Sequence, residues 1–241
     1  QAKTLFPYTT LFRSENELTI TGPDVKAVLE AIRSDSIHDQ DMRILDFNRI
    51  IPYPQIYRDM DKRAEEYREK LHAIANDDPE RKQKLEALGA EYGVEPGTPW
   101  IKDGFNSGGY EWTCENWATK WNACHVHLNT RADASKPLRK TSKCAYCQTV
   151  HKTETMVVLT CQQCGSPLPD AEPIQAFLEF DTAWSPPIPV IEKLASMFPD
   201  HTFELKYFEG GIGFSGHARW SEGIEEFHHQ YEYDEIGRAH V

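Results

Sequence analysis

Two cysteine pairs, Cys144-Ala-Tyr-Cys147 and Cys161-Gln-Gln-Cys164, stand 13 residues apart in this chain. In each C-x-x-C pair both thiolates can reach one metal ion, and the intervening residues suffice for a hairpin that brings the pairs together. Four thiolates leave no open coordination position, which is typical of structural zinc that folds its own module. We therefore predict Zn²⁺ bound by Cys144, Cys147, Cys161 and Cys164, with iron or disulfides as the alternatives.

Charge and composition exclude several classes of protein. The chain has 241 residues, with 26 Lys and Arg against 38 Asp and Glu, and a net charge of −12. Such a chain repels nucleic acid and anionic membrane on average, although a local basic patch can override this. No apolar run reaches the ~18 residues of a membrane span, so we expect no membrane partner. Paired C-x-x-C motifs indicate a reducing compartment, and we expect the cytoplasm.

The two ends of the chain do not read as natural protein. Residues 4–14 and 236–241 look like translated sequencing adapters, so we interpret the native sequence as 15–235, taken from an assembled metagenomic read. A signal peptide is the alternative for the first segment, but Pro7 and several polar residues interrupt its apolar stretch.

The segment 15–55 reads as one β-α-β half. Leu18 and Ile20 alternate with threonines, which predicts a strand, and a second strand is predicted over 44–50. Between them, a turn at Gly22-Pro23 leads into an amphipathic helix over 24–34. Its apolar positions are Val25, Val28, Leu29 and Ile32.

The segment 172–235 reads as the second half. It contains a strand over 174–182, a helix that follows Pro186-Pro187 and a strand through Phe203, Leu205 and Tyr207. A glycine-rich bend and the segment 214–220 follow, and the charged patch around 225–229 predicts a terminal helix or a frayed tail. The fold class is α+β, a ferredoxin-like split β-α-β sandwich interrupted by a long insertion.

Three predicted segments make up the insertion. Residues 56–95 form a helical insertion, with a long helix over 57–76 and a shorter one after Asp78-Pro79. Residues 96–130 form a Trp-rich segment that packs on the domain, and residues 131–171 form a zinc ribbon. The apolar stripe on the long helix predicts packing surface, with partner docking as the alternative.

Four blocks of the sequence resemble recurrent blocks of the YubB ferredoxin-like family of bacteriophages and conjugative plasmids. They are Asn16-Glu-Leu-Thr-Ile-Thr-Gly-Pro23, Glu115-Asn-Trp-Ala-Thr-Lys-Trp-Asn-Ala123, Asp181-Thr-Ala-Trp-Ser-Pro-Pro187 and Gly210-Gly-Ile-Gly-Phe-Ser-Gly216. The resemblance covers nearly all of 15–235 except the cysteine insert. It implies a ferredoxin-like fold in a bacterial host cell, and it implies no particular reaction.

Basic residues crowd the zinc ribbon. Six of them lie between 131 and 152 against the single acid Asp133, and they are Arg131, Lys136, Arg139, Lys140, Lys143 and Lys152. A local positive patch on an acidic chain is a candidate surface for nucleic acid or for a partner protein. A solvated basic loop is the alternative.

A candidate small-molecule pocket lies in the Trp-rich blocks. Its residues are Trp117, Lys120, Trp121, Asn122 and Trp184. Core packing is the favoured interpretation for the tryptophans, because large aromatic side chains dominate packing energetics, and the pocket is the alternative. The polar residues between them favour hydrogen bonds to strand edges or to a ligand.

Two further patterns resemble sites. Cys114, Cys124, His125 and His127 are a hypothesis for a second metal site, although they lack a standard zinc spacing. Reading 122–128 as a strand puts Cys124 on one face as a small core hydrophobe, and His125 and His127 on the other as a chelating pair. The glycines of 211–216 match G-x-G-x-x-G formally, but no helix follows them, so we expect no nucleotide cofactor.

These patterns predict an interaction protein without enzymatic activity, in which the zinc ribbon contacts nucleic acid or a host or phage protein. A phage or plasmid origin is what the family resemblance implies. No set of nucleophile, base and orienting group can be assembled from the sequence. The alternative is a small-molecule-binding protein or enzyme with its pocket around residues 112–122 and 184.

Overall fold

The computed structural model describes residues 13–34, 41–94, 100–132, 141–144, 147–152, 161, 163 and 173–232. The chain forms two compact units, which we call the sheet unit (1–52 with 114–241) and the helical unit (53–113). In chain order the elements are β1 (Arg13–Thr21), α1 (Val25–Ile32), α2 (Gln55–Ala73), α3 (Arg81–Tyr92), α4 (Gly109–Trp117), β2 (Cys124–Ala132), β3 (Thr141–Lys143), β4 (Val150–Lys152), β5 (Pro173–Ala183), α5 (Ile188–Met197), β6 (Thr202–Glu209), β7 (Phe214–Ser221) and β8 (Ile224–Glu232).

Six strands of the sheet unit form one sheet in the order β2-β5-β1-β6-β7-β8, and every neighbouring pair is antiparallel. The series β1-α1-β2 and β5-α5-β6 supplies the four strands β2-β5-β1-β6, with each half contributing one central and one outer strand. This interleaving of two split β-α-β halves is the ferredoxin-like arrangement. The predicted α+β, ferredoxin-like fold class is confirmed, and β7 and β8 extend the sheet beyond β6.

The core of the sheet unit follows the predicted periodicities. Alternate residues of β1 are buried, among them Leu18 and Ile20. All four apolar positions predicted for α1 are buried, and Asp24 caps the helix by accepting a hydrogen bond from the Ala27 amide at 3.0 Å. Each such aliphatic side chain stabilises the fold by about 1.5–3 kcal/mol when fully buried. The first helix therefore docks because its apolar stripe matches the buried face of the strands.

The strand predicted over 44–50 is wrong, because the chain forms a turn and a 3-10 helix, Phe47–Arg49. Asp46 directs this, since its carboxylate accepts a hydrogen bond from the Asn48 amide at 3.0 Å and so caps the short helix. Phe47 is nevertheless fully buried. The second strand of the first half is instead β2, which begins at Cys124.

The terminal helix or frayed tail predicted around 225–229 is also wrong. This stretch lies in β8, which pairs with β7 so that His229 stands opposite His217 and His228 opposite Ala218. The hydroxyl of Tyr207 on β6 lies 2.7 Å from Nε2 of His228 on β8. Exposed positions on both faces of this outer strand conceal the alternation that identifies a strand in sequence.

The helical unit has a small core of its own. Tyr67 on α2 packs with Leu88 and Tyr92 on α3, and four partly buried side chains, Leu71, Ile74, Val94 and Ile101, pack against them. The ammonium group of Lys70 lies 4.9 Å from the centre of the Tyr92 ring. The two predicted helices are thus present, with their apolar stripes facing this core. Among the described helices, none combines the length and apolarity needed to cross a bilayer.

Candidate metal centre

A short hairpin, β3 and β4, presents the first cysteine pair. Lys143 pairs with Val150, and beyond this pair the Cys144 amide donates to the Thr149 carbonyl at 2.9 Å. The Gln148 amide donates back to the Cys144 carbonyl at 3.1 Å, and Gln148 adopts a left-handed φ of 60°. Gln148 follows Cys147 directly, and its left-handed backbone turns the chain back toward Cys144. Gly165 occupies the equivalent place after Cys164 in the sequence.

The sulfur atoms of Cys144, Cys147 and Cys161 all lie within 4.8 Å of one another. The sulfurs of Cys147 and Cys161 are 3.3 Å apart, well beyond the ~2.05 Å of a disulfide bond, and the three cysteines are free thiols. Tetrahedral zinc with Zn–S bonds of ~2.3 Å holds its sulfurs roughly 3.8 Å apart. The trio therefore has the size of a thiolate metal site, and Cys164, the fourth predicted ligand, lies outside the described residues.

The environment of Cys147 favours the thiolate, which is the metal-binding form. The Thr149 hydroxyl lies 3.1 Å from the Cys147 sulfur. Hydrogen bonds from this hydroxyl, and then from the Thr149 amide, lower the pKa of Cys147 to about 6, with smaller contributions from Cys161 and Cys144. Cys144 and Cys161 are both buried.

The predicted basic flank is described only in part. Arg131 near the end of β2 and Lys143 beside Cys144 are both exposed. Lys136, Arg139 and Lys140 lie outside the described residues, and Lys152 is described only as a position in β4.

In the predicted Trp-rich pocket, two side chains make internal hydrogen bonds. Trp117 is buried, and its indole Nε1 donates to the Ile51 carbonyl at 2.9 Å. The Asn122 carboxamide accepts from the Phe47 amide at 2.9 Å and donates to the Asp46 carboxylate at 2.8 Å. These contacts describe packing and turn-stabilising roles for both residues.

The other three predicted pocket residues form a cation–π group. The Lys120 ammonium lies 5.1 Å from the centre of the Trp121 ring and 5.4 Å from that of Trp184. Trp184 has a positive φ of 70° and is exposed over 42% of its surface. The Lys120 ammonium group therefore lies within cation–π distance of both indole rings.

A second group of metal-ligating atoms lies where β2 meets β5. The Cys124 sulfur, a His125 ring nitrogen and an Asp181 carboxylate oxygen are all within 4.8 Å of one another. Cys124 and His125 were predicted on opposite faces of a strand, and this is wrong. A β-bulge between Cys124 and His127, with φ of 53° at His125, turns both side chains toward Asp181.

Asp41 holds this bulge in place. Its carboxylate accepts hydrogen bonds from the backbone amides of His125 and Val126, both at 2.9 Å. The sequence did not indicate that Asp41 and Asp181 belong to this cluster, because they lie 84 and 56 residues from His125 along the chain. No spacing rule joins residues so far apart. The pairing of β2 with β5 brings Asp181 to His125, and the turn after α1 brings Asp41 there.

The comparisons with known proteins bear on the fold. Residues 172–238, which contain β5 to β8, match the family described as the ferredoxin-like domain in Api92-like protein. No curated protein sequence matches the chain. The crystal structure of a protein api92 from Yersinia pseudotuberculosis is similar, with 10% sequence identity, a TM-score of 0.41, and 93% of this chain and 98% of that chain covered. Resemblance to the YubB family itself stays a prediction, and the second half of this chain is similar to the ferredoxin-like domain of Api92-like proteins.

Proposed function

We propose that this chain is a non-enzymatic interaction protein whose zinc-bound cysteine module presents a basic surface to nucleic acid. The observation that carries the proposal is the convergence of the sulfurs of Cys144, Cys147 and Cys161 within 4.8 Å. Zinc would be held by these three and by Cys164. When bound, it supplies a structural cross-link and leaves no open position for a substrate.

Zinc would stabilise the module, because the regular structure among its described residues is a single short hairpin. Strands β3 and β4 contain three residues each and form a separate two-stranded sheet. An isolated two-stranded hairpin is marginally stable at best in water. Zinc bound to cysteine modules contributes about 10 kcal/mol or more to their folding. The metal would thereby fix the exposed Lys143 next to the cysteines.

Nucleic acid is favoured as the partner because of local charge. The segment 131–152 carries six basic residues and one acid, whereas the whole chain has a net charge of −12. Phosphate groups release counterions when they meet such a patch, which supports binding even on an acidic protein. The ferredoxin-like domain then serves as the scaffold that carries the module.

Two measurements test the proposal. Elemental analysis of freshly purified, reduced protein should find one zinc equivalent fewer in Cys144→Ser than in the unmodified chain. In gel-shift titrations, affinity for nucleic acid should fall as salt rises, and Lys143→Glu should lower the slope of log K against log salt by about one. Lys193→Glu on α5, an exposed lysine far along the chain from the module, is the matched charge reversal and should leave the slope unchanged.

Two results would contradict the proposal. Equal zinc content in Cys144→Ser and the unmodified chain would show that the cysteine module does not bind zinc as proposed. Binding that does not weaken with salt would exclude a phosphate-based mode and would point to a protein partner instead.

A further inference from the structure

The second cluster of metal-ligating atoms combines three kinds of donor. Cys124 offers a thiolate sulfur, His125 an imidazole nitrogen and Asp181 a carboxylate oxygen, all within 4.8 Å of one another. This mixed set suits a divalent ion of borderline softness, such as Zn²⁺ or Co²⁺. A purely acidic cluster would lack both the sulfur and the nitrogen.

The backbone aims these donors together at a conformational cost. In a regular strand the neighbours Cys124 and His125 would point to opposite faces of the sheet. The left-handed φ of 53° at His125 prevents this, and the Asp41 carboxylate maintains it through two backbone hydrogen bonds. As a result Nδ1 of His125 lies 2.8 Å from Oδ2 of Asp181, whose carbonyl oxygen lies 3.5 Å from the Cys124 sulfur.

The cluster opens into a groove that favours a cation. Asp181 and His125 line one end of a groove of about 660 Å³ that crosses strands β2, β5, β1 and β6. Its lining includes four carboxylates against two permanent cations, namely Glu15, Glu17, Glu179 and Asp181 against Arg13 and Lys206. A bound metal ion would thus have negative charge around it and at least one coordination position facing solvent.

A guanidinium group occupies part of this space. Nη1 of Arg13 lies 2.9 Å from Oδ2 of Asp181 and 3.5 Å from Nδ1 of His125. It therefore satisfies the same carboxylate oxygen that would face a metal ion. A monovalent side chain and a divalent ion compete for this position. Arg13, which belongs to the segment 4–14 interpreted as a translated adapter, should therefore weaken metal binding without abolishing it.

We propose that Cys124, His125 and Asp181 form a second, open metal site that takes a divalent transition ion such as Zn²⁺ or Co²⁺. The Cys124 thiol gives its proton to solvent when the sulfur coordinates the ion. This site is independent of the proposed cysteine module, with which it shares no ligand.

The test is a Co²⁺ titration of the full, reduced, metal-free chain, followed by thiolate-to-cobalt charge-transfer absorption. The unmodified chain should bind one Co²⁺ equivalent more than Cys124→Ser. Asp181→Asn should bind that equivalent at least about tenfold more weakly. Arg13→Ala should bind it roughly five- to tenfold more tightly, because the competing ion pair is gone.

Three further variants make the result specific. Cys114→Ser removes a cysteine outside the cluster and should titrate like the unmodified chain. Cys147→Ser should remove the absorption of the cysteine module and leave the Cys124 signal, so failure of either site is seen separately. In His125→Asn the new residue tolerates a left-handed backbone, and the His125 side chain that it replaces is 66% exposed. This variant should therefore fold, and it keeps the test available if Asp181→Asn does not.

The proposal is overturned if Cys124→Ser and His125→Asn bind as many Co²⁺ equivalents, with the same absorbance per metal, as the unmodified chain. It is equally overturned if the unmodified chain shows no Co²⁺ absorption that depends on Cys124.

Discussion

The hydroxyl of Thr119 makes two hydrogen bonds to the backbone of Ala183, donating to its carbonyl at 3.1 Å and accepting from its amide at 3.0 Å. Both residues are buried. Ala183 pairs with Arg13 of β1 on one edge of β5, while the pairing with β2 on the other edge begins only at Asp181. The Thr119 side chain therefore takes the place of a β2 partner at this end of β5. The segment after α4 is attached to the sheet at this point.

Thr119→Val should destabilise the sheet unit, because the isosteric methyl group leaves the Ala183 amide and carbonyl without these partners. The expected loss is about 1–3 kcal/mol in the free energy of unfolding, measured by urea denaturation. Thr119→Ser keeps the hydroxyl, so its free energy of unfolding should fall by clearly less than that of Thr119→Val. Equal losses in the two variants would show that the hydroxyl contributes nothing.

Asn122→Asp tests whether Asn122 stabilises the turn around Asp46. The substitution removes the donor that lies 2.8 Å from the Asp46 carboxylate and brings two negative charges together. We expect the free energy of unfolding, measured by urea denaturation, to fall by about 2 kcal/mol or more at pH 7. This difference from the unmodified chain should become smaller at low pH, where carboxylates gain protons. Asn129→Asp on the exposed side of β2 is the matched control and should change stability by less than about 0.5 kcal/mol. A loss as small as that of the control would contradict a turn-stabilising role of Asn122.

Two glycines of α3 should respond to alanine in opposite directions. A Cβ at Gly89 meets its nearest atom at 3.8 Å, so Gly89→Ala should stabilise the helical unit by about 0.5–1 kcal/mol through helix propensity. Gly93 ends the helix with φ of 65°, a left-handed conformation that strains alanine, so Gly93→Ala should destabilise the helical unit by about 1 kcal/mol. Thermal unfolding followed by circular dichroism measures both. Shifts of the same sign would contradict this assignment of the helix end.

Tyr207 should make stability fall at alkaline pH. Burial raises its pKa from 10.0 to about 12, so the folded chain keeps the phenol proton that the unfolded chain releases near pH 10. The folded state then binds more protons between pH 10 and 12, and the free energy of unfolding decreases across that window. Tyr207→Phe should lessen this decrease, as measured by urea denaturation at several pH values. Parallel curves for the two proteins would rule out Tyr207 as the cause.

Removing the zinc that we propose at the cysteine module should unfold the module and leave the sheet folded. After chelation we expect faster amide hydrogen exchange at Lys143 and Cys144, because the β3–β4 hairpin is too small to persist alone. The central strand β1, paired on both sides with β5 and β6, should keep its protection. Unchanged exchange at Cys144 after complete metal removal would contradict a folding role for zinc.

Local patterns in the sequence determined most of the regular elements. The alternation in β1 and the apolar stripe of α1 correspond to buried faces, because a side chain's direction repeats with the period of its own strand or helix. The spacing of each C-x-x-C pair likewise depends on only four consecutive residues, so the pairing of Cys144 with Cys147 was visible directly. Where a polar side chain such as Asp46 folds back onto its own backbone, the same apolar pattern gave a wrong strand.

Only the tertiary structure decided which distant residues meet. Strand β5 pairs with both strands of the first half, β1 and β2, although more than a hundred residues separate these two along the chain. Such pairing depends on the closure of the whole sheet. The placement of Cys124 and His125 beside Asp181 depends on a bulge held by Asp41, a contact 84 residues away. The face to which a side chain points along a strand or helix is a local property of the sequence. Strand register, bulges and the convergence of metal ligands depend instead on contacts between distant segments, and the sequence alone does not show which segments meet.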